Sequence, residues 1–552
     1  MKKTFFALLM AVALLLPTAA LGQTVKITSD ERKMAEEITA GQLSNYLYFV
    51  ASDAMGGRDT PSYGLDVTAE FLKMNLQKWG FKGAGDNGTF FQKIGLRRDA
   101  IDPAATSVKI GGESFAYGED IARASGSGNI SAPIVFAGNG WMIKSKNMNP
   151  YANIDIKGKV VAVIGEGPIG GRGLVPMPAG VTQADLPAAG RGTEWADAAT
   201  YARNNGAAGL LILPSKFLQE NWGAVTANFG RSRMVVDKLA PAGGAPQGGQ
   251  PPMTVLFASV KAANAIFKGE AGNPLNGYAE SFAVNPSKNF DFTIATKTEM
   301  QWTQNVVALW EGSDPVLKNE MVALGAHYDH VGTNPNAPGD DKIWNGADDD
   351  GSGTVSVLSI AEALAKGKVR PKRSILLVWH AGEEKGLWGA EYFNKFPTVN
   401  IKNVIAQLNI DMIGRSRKAG DTNPKNKDLS DENGVYVIGA EMMSSTLGAI
   451  TKGTNDAYLK IGYDYKYDDP KDTNRFFFRS DHFHYAVNGI PIAFWFTGVH
   501  EDYHQATDHP DKIDYNKMEK IARTIFLTMW ELSDLKERPK IDKQLPPELT
   551  QR

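Results

Sequence analysis

From residue 305 onward the chain carries six short apolar segments: Asn305–Leu309, Met321–Gly325, Ser374–Trp379, Val404–Asn409, Val435–Ile438 and Ile490–Phe496. Nothing else in the sequence constrains the fold as strongly. Each is too short for a buried helix and rich in β-branched or aromatic residues, so each reads as a strand. Their apolar character is continuous rather than alternating, which means both faces are covered. Helical patterns at 353–366 and 516–535 lie between or after them. The expected fold is therefore α/β, with a mostly parallel central sheet flanked by helices. In such a sheet, ligands gather at the carboxyl ends of the strands.

Upstream, residues 30–82 read as helical, with a break at Met55-Gly56-Gly57-Arg58. Leu65, Ala69, Leu72, Leu76 and Trp79 recur at helical spacing, and Gly80 ends that helix. Around residue 125 the texture changes. Ser125-Gly126-Ser127-Gly128 reads as a join, 159–165 and 206–213 as buried strands, and 240–252, rich in Gly, Pro and Ala, as a loop. The simplest architecture is one α/β domain, covering 23–124 and 265–552, interrupted by a smaller α/β or β-rich domain at 125–264.

The first 22 residues have another reading. Lys2 and Lys3 precede an apolar run from Phe5 to Leu16, then Pro17 and small residues up to Gly22. That is the layout of a secretory signal peptide, with export to a periplasm or the medium expected. The run is shorter than the roughly 20 apolar residues a span needs, and no stable membrane insertion is expected. The net charge of −2 offers no basic field for nucleic acid. The sequence has no cysteine, which excludes disulfides, a lipid anchor on cysteine, and thiolate metal sites or nucleophiles. All eight histidines fall at or after residue 327, so any imidazole chemistry belongs to the C-terminal half.

The motifs that carry chemistry sit at or just past strand ends. Gly325-Ala326-His327-Tyr328-Asp329-His330 follows the 321–325 strand. There His327 emerges at the sheet edge, Asp329 is placed to fix its ring tautomer, and His330 reads as structural. Asn345-Gly346-Ala347-Asp348-Asp349-Asp350-Gly351-Ser352-Gly353 sets three carboxylates in a row before a helix. Such a row needs a counter-charge, and a metal pair bridged by one carboxylate supplies it. His380-Ala381-Gly382-Glu383-Glu384-Lys385-Gly386 offers two adjacent carboxylates that can divide metal binding and proton transfer. Asp411 ends an apolar strand, where a lone carboxylate is costly unless paired or metal-bound. His504, after the last strand, completes a set of two His, two Asp and one Glu, and Ser480-Asp481-His482 could orient a ligand.

Together GAHYDH, NGADDDGSG, GEEKG, NIDMIG and DYHQATDHPDKID, in that order, resemble the two-zinc exopeptidases. That family includes bacterial aminopeptidases, glutamate carboxypeptidase and the catalytically inactive transferrin receptor. Residues 44–82 resemble the N-terminal segment of bacterial members, and 125–264 a protease-associated domain. The resemblance implies two Zn2+ per chain. His327 and Asp411 would hold one, Glu384 and His504 the other, and Asp349 would bridge them. It also implies Glu383 as general base to a metal-activated water, and Tyr503 as a stabiliser of the oxyanion. The family's frequent Asp-Thr after the final histidine reads Asp508-His509 here. Peptides are the implied substrates, with aminopeptidase action the leading expectation and carboxypeptidase or dipeptidase action the alternatives on the same metal core. A non-catalytic binding protein and a one-zinc acyltransferase resembling glutaminyl cyclase are the other readings. The absence of G-x-S-x-G and H-E-x-x-H argues against a serine hydrolase and a single-zinc protease of that type.

Overall fold

The computed structural model describes residues 25–126, 128–167, 174–230, 234–240 and 253–550. The expected signal peptide, and most of the 240–252 loop, lie outside the described residues. No helix among the described residues is long and apolar enough to cross a membrane. The chain divides into two compact units, one of Met1–Ile94 with Trp302–Arg552 and one of Gly95–Gln301.

The first unit is built on a mixed sheet. Its strands run in the order Phe91–Ile101, Thr296–Trp310, Ser374–His380, Met321–His327, Val404–Ile410, Ile492–Phe496, Gly434–Ile438, Gly462–Asp464. The four at the centre, from Ser374–His380 to Ile492–Phe496, are mutually parallel. Thr296–Trp310 and Gly434–Ile438 flank them antiparallel. Every residue of the 321–327, 374–380, 404–410 and 492–496 strands is buried, which is why their sequences show no alternation. Side chains such as Val322, Leu324, Leu377 and Leu408 meet the helices Gly353–Lys366 and Tyr515–Asp534 in one core. Phe494, Phe496, Tyr485 and Ile438 build a second. Parallel register brings the carboxyl ends of the central strands to one edge: His327 pairs with His380, and Ile410 with Trp495.

The N-terminal helices Ser29–Glu36, Ala40–Val50 and Tyr63–Lys78 belong to this unit. Thr28, Thr39 and Ser62 cap them through their side chains, each satisfying one otherwise unpaired amide of the first turn. Between the second and third lies the turn Asp53–Arg58, with Gly56 and Gly57 at positive φ.

The second unit holds a six-stranded sheet in the order Phe282–Ala283, Ile134–Phe136, Val160–Val163, Gly209–Ile212, Val255–Ala258, Ile121–Ser125. Its four inner strands are parallel and its edge strands antiparallel. A four-stranded antiparallel sheet, Glu113–Phe115, Ser107–Ile110, Phe290–Thr293, Ile130–Ala132, completes it. This unit is wider than the expected 125–264 segment. The hairpin around 107–115 and the strand Ile130–Ala132 both join through Phe290–Thr293, a long-range pairing that local sequence texture does not reveal.

Candidate metal centre

Four loops at the carboxyl edge of the first unit's sheet converge on one site. His327 is the last residue of its strand and is buried. Its Nδ1 lies 3.1 Å from the backbone carbonyl of Asp329 and 3.6 Å from that residue's carboxylate. Nε2 is thereby left to face the site, 3.3 Å from Asp349 Oδ1 and 3.7 Å from Asp411 Oδ2. Asp329 also anchors the neighbouring loop. Its Oδ1 accepts the amide of Glu383 at 3.1 Å, fixing the start of the Glu383-Glu384 pair.

The three consecutive aspartates divide their roles. Asp348 accepts the amide of Gly414 at 2.6 Å and lies 3.2 Å from His500 Nε2. Asp350 accepts the amides of Gly353, Met412 and His327 at 2.9, 3.2 and 3.2 Å, tying three loops together. Only Asp349 turns into the site, its amide held by Asp508 at 3.2 Å. Asp349 Oδ2 then lies 3.0 Å from His504 Nε2, while Oδ1 faces His327. One carboxylate thus presents its two oxygens to two separate imidazoles.

On the second side His504 Nε2 is 3.1 Å from Glu384 Oε2. His504 has φ of +54°, and its carbonyl is held by Trp344 Nε1 at 2.9 Å. His330 is a departure from expectation. Read from sequence as structural, it is fully buried, with Nδ1 2.9 Å from Glu384 Oε1 and 3.7 Å from Asp349 Oδ2. Two groups of potential metal donors result, His327 with Asp349 and Asp411, and His330 with Asp349 and Glu384.

The electrostatics explain why such a cluster calls for cations. Burial raises the Asp411 carboxyl above its ordinary range, with His327 opposing and Asp349 adding to the rise. Burial also raises Glu383 well above the usual carboxylate range; His327 opposes, and Glu384 and Asp411 add to the rise. Burial works against a charge on His327, but Asp411, Asp329 and Asp349 outweigh it and raise the ring well above its usual value. Divalent cations relieve the repulsion among these carboxylates and give the imidazoles a partner. The donor set is nitrogen and oxygen without sulfur, which suits zinc and its neighbours among the divalent ions.

Beside the donors lies a cavity of about 390 Å³, lined by Glu383, Glu384 and Asp411 and by the apolar Met412, Phe476, Phe494, Phe496 and Val499. Glu383 Oε2 stands 4.0 Å from His327 Nε2. Tyr503 also lines the cavity; its ring stacks on His504 at 3.9 Å and its hydroxyl accepts from Arg479 at 3.2 Å. Ser480 Oγ accepts from Asn409 at 2.8 Å, and Asp481 lies 3.4 Å from His380, so this triplet supports the site from behind.

Sequence reasoning gave no role to Arg58. Its guanidinium is fully buried and donates to four backbone carbonyls: Tyr328 at 3.0 Å, Val50 at 2.9 Å, Asn345 at 2.7 Å and Gly346 at 2.9 Å. It joins the end of helix Ala40–Val50 to the loops that bear His327, His330 and Asp349. Burial lowers its pKa to about 10, against the pull of Asp329, Asp350, Asp508 and Asp349. The one sequence signal was the Gly-Gly-Arg-Asp break in the helical pattern. A charged residue inside such a break has to be satisfied somewhere.

Residues 305–529 match the model of Peptidase family M28. A probable leucine aminopeptidase 2 from Aspergillus oryzae is 32% identical over 233 residues, 42% of this chain and 40% of the relative. A probable leucine aminopeptidase from Arthroderma otae is 29% identical over 250 residues, 43% of this chain and 60% of the relative. The chain thus spans about half the length of these relatives. Among solved structures, BSAP, a zinc aminopeptidase from Bacillus subtilis, aligns over 93% of this chain and 99% of its own at 16% identity, with a TM-score of 0.45. Every donor of the candidate metal centre falls within 305–529, the segment that matches peptidase family M28.

Proposed function

We propose that the chain is an exported zinc-dependent aminopeptidase that binds two Zn2+ and removes N-terminal residues from peptides. The observation that carries this reading is Asp349, whose two oxygens face two separate histidine–carboxylate groups at 3.0 and 3.3 Å. A carboxylate with an oxygen turned to each group is suited to bridging a metal pair. Zinc, when bound, supplies Lewis acidity and makes the attacking water acidic enough to ionise near neutral pH.

The chain's own residues do the rest. Glu383 borders the donor cluster without belonging to either potential donor group. Burial and its carboxylate neighbours raise its proton affinity, which suits a base that takes a proton from water and returns it to the leaving amine. The Tyr503 hydroxyl, oriented by Arg479, donates to the oxygen on which negative charge develops. Met412, Phe476, Phe494, Phe496 and Val499 form a dry wall beside the acids, supporting a preference for an apolar side chain next to the scissile bond. The leucine aminopeptidase names of the two fungal relatives point the same way.

The test is hydrolysis of free and N-acetylated peptides with the products identified, before and after chelation and zinc add-back. Zinc-restored release of N-terminal apolar residues from free peptides alone is the expected outcome. Release of C-terminal residues from acetylated peptides would move the chain to carboxypeptidase action, and no zinc-dependent cleavage would leave a binding role.

A further inference from the structure

Among the buried side-chain atoms that lack a hydrogen-bond partner, four belong to one place: His330 Nδ1, Asp349 Oδ2, Glu384 Oε1 and His504 Nε2. An unpaired buried polar atom is costly, and four converging in one space share a single remedy. Three of the contacts among these side chains are 2.9 Å (His330 Nδ1 to Glu384 Oε1), 3.0 Å (His504 Nε2 to Asp349 Oδ2) and 3.1 Å (His504 Nε2 to the second Glu384 oxygen, Oε2). The fourth, His330 to Asp349, is 3.7 Å. Donors at the usual zinc–nitrogen and zinc–oxygen lengths in a tetrahedron are about 3.3 Å apart, and these separations bracket that value. The His330 and His504 rings meet edge to face with centroids 5.7 Å apart, so both nitrogens can approach one point without the rings colliding. Gly346 packs directly on the His330 ring, leaving no room for a side chain between them.

We propose that His330 is a ligand in its own right, so that one metal position is closed by four protein donors: His330, His504, Glu384 and Asp349. The other position, with His327, Asp411 and the second oxygen of Asp349, keeps three protein donors and stays open. The two metals are then unequal. A closed tetrahedral position is the mark of a structural or charge-supplying zinc, and a three-ligand position that of a catalytic one. An open position there would leave room for water and substrate on the His327 side, the side that Glu383 borders at 4.0 Å. This deepens the proposed function and rests on its metal pair, but its test needs no substrate.

Zinc X-ray absorption on the fully loaded wild-type protein counts imidazoles per metal. Three histidines shared by two zinc ions support the proposal, and two shared by two overturn it. In parallel, His330→Gln and His330→Phe, the second filling the ring's space without a donor, are titrated with zinc against a competing chelator. Each variant is expected to hold one zinc as the wild type does and to bind the other more than about 100-fold more weakly, beyond the loss typical of an outer partner. Two zinc ions retained with wild-type affinity in both variants would overturn the proposal. Wild-type protein that hydrolyses nothing but binds two zinc ions through three imidazoles would sink the aminopeptidase reading and leave this one standing. Wild-type protein that binds no zinc would end both.

Discussion

At the residue scale, neighbours of one type do different work because their surroundings differ. Glu383 and Glu384 are adjacent, yet Glu384 meets two imidazoles at 2.9 and 3.1 Å while Glu383 approaches one only at 4.0 Å. Replacing Glu383 with Gln should therefore leave zinc content at the wild-type value and lower kcat by about 10²- to 10⁴-fold, the usual worth of a general base. Full activity in a zinc-replete Glu383→Gln protein would remove the base assignment. His482 makes a different point. It is fully buried, stacks on Phe494 at 4.6 Å, and burial depresses its pKa to about 3 from an ordinary 6.5. The unfolded chain binds this proton more readily, so the stability due to a neutral His482 is complete above pH 6.5 and is lost as pH falls through 3. At pH 5 the loss is about 2 kcal/mol. Denaturant unfolding of the chelated protein at pH 7 and pH 5 should show a smaller acid penalty in His482→Phe than in wild type.

At the scale of elements, the site depends on the turn Asp53–Arg58 as much as on the strands. The carbonyl of Val50 lies in the last turn of helix Ala40–Val50, where a cation is favourable. Arg58 supplies that cation and binds the two donor loops with its remaining N–H groups. Arg58→Met strands four buried carbonyls and removes the charge that the surrounding aspartates face. Its expected cost is at least about 3 kcal/mol, larger in the metal-loaded than in the chelated protein because the two donor loops lose their common anchor. Equal losses in the two states, read from denaturant midpoints, would limit Arg58 to general packing. Gly346 makes the same loop possible: its φ is +59°, and an added Cβ would strike the His330 ring and the Asp349 carbonyl. Gly346→Ala is expected to cost about 2–5 kcal/mol and to weaken zinc binding at the position that holds His330.

At the scale of the whole molecule, every donor lies within the unit of Met1–Ile94 and Trp302–Arg552. Metal binding stabilises only the folded state that forms the site, by about 2.7 kcal/mol when free zinc is 100 times its Kd. Calorimetry is therefore expected to show a transition that chelation shifts downward and zinc restores, and a second one, from Gly95–Gln301, that chelation leaves in place. A uniform shift of both transitions would mean that the two units unfold together.

The sequence by itself determined the strands and the chemistry at their ends. Buried parallel strands advertise themselves as unbroken apolar runs, so 321–325, 374–379 and 404–409 were legible to within two residues of the observed Met321–His327, Ser374–His380 and Val404–Ile410. Carboxylates and histidines just beyond them had to be paired, because isolated charge at a dry strand end is too costly. Tertiary structure decided how that pairing is shared out. Which aspartate of Asp348-Asp349-Asp350 faces the donors depends on hydrogen bonds with Gly414, Met412 and Asp508, all far away in the chain. His330 became a candidate ligand only when Glu384 arrived from another strand, and Arg58 acquired its role only when two distant carbonyl-bearing segments, at 328 and 345–346, met around it beside Val50. Periodicity and residue type are local quantities and survive in sequence. The satisfaction of a buried polar atom is a property of whatever surrounds it, and only the folded chain supplies those surroundings.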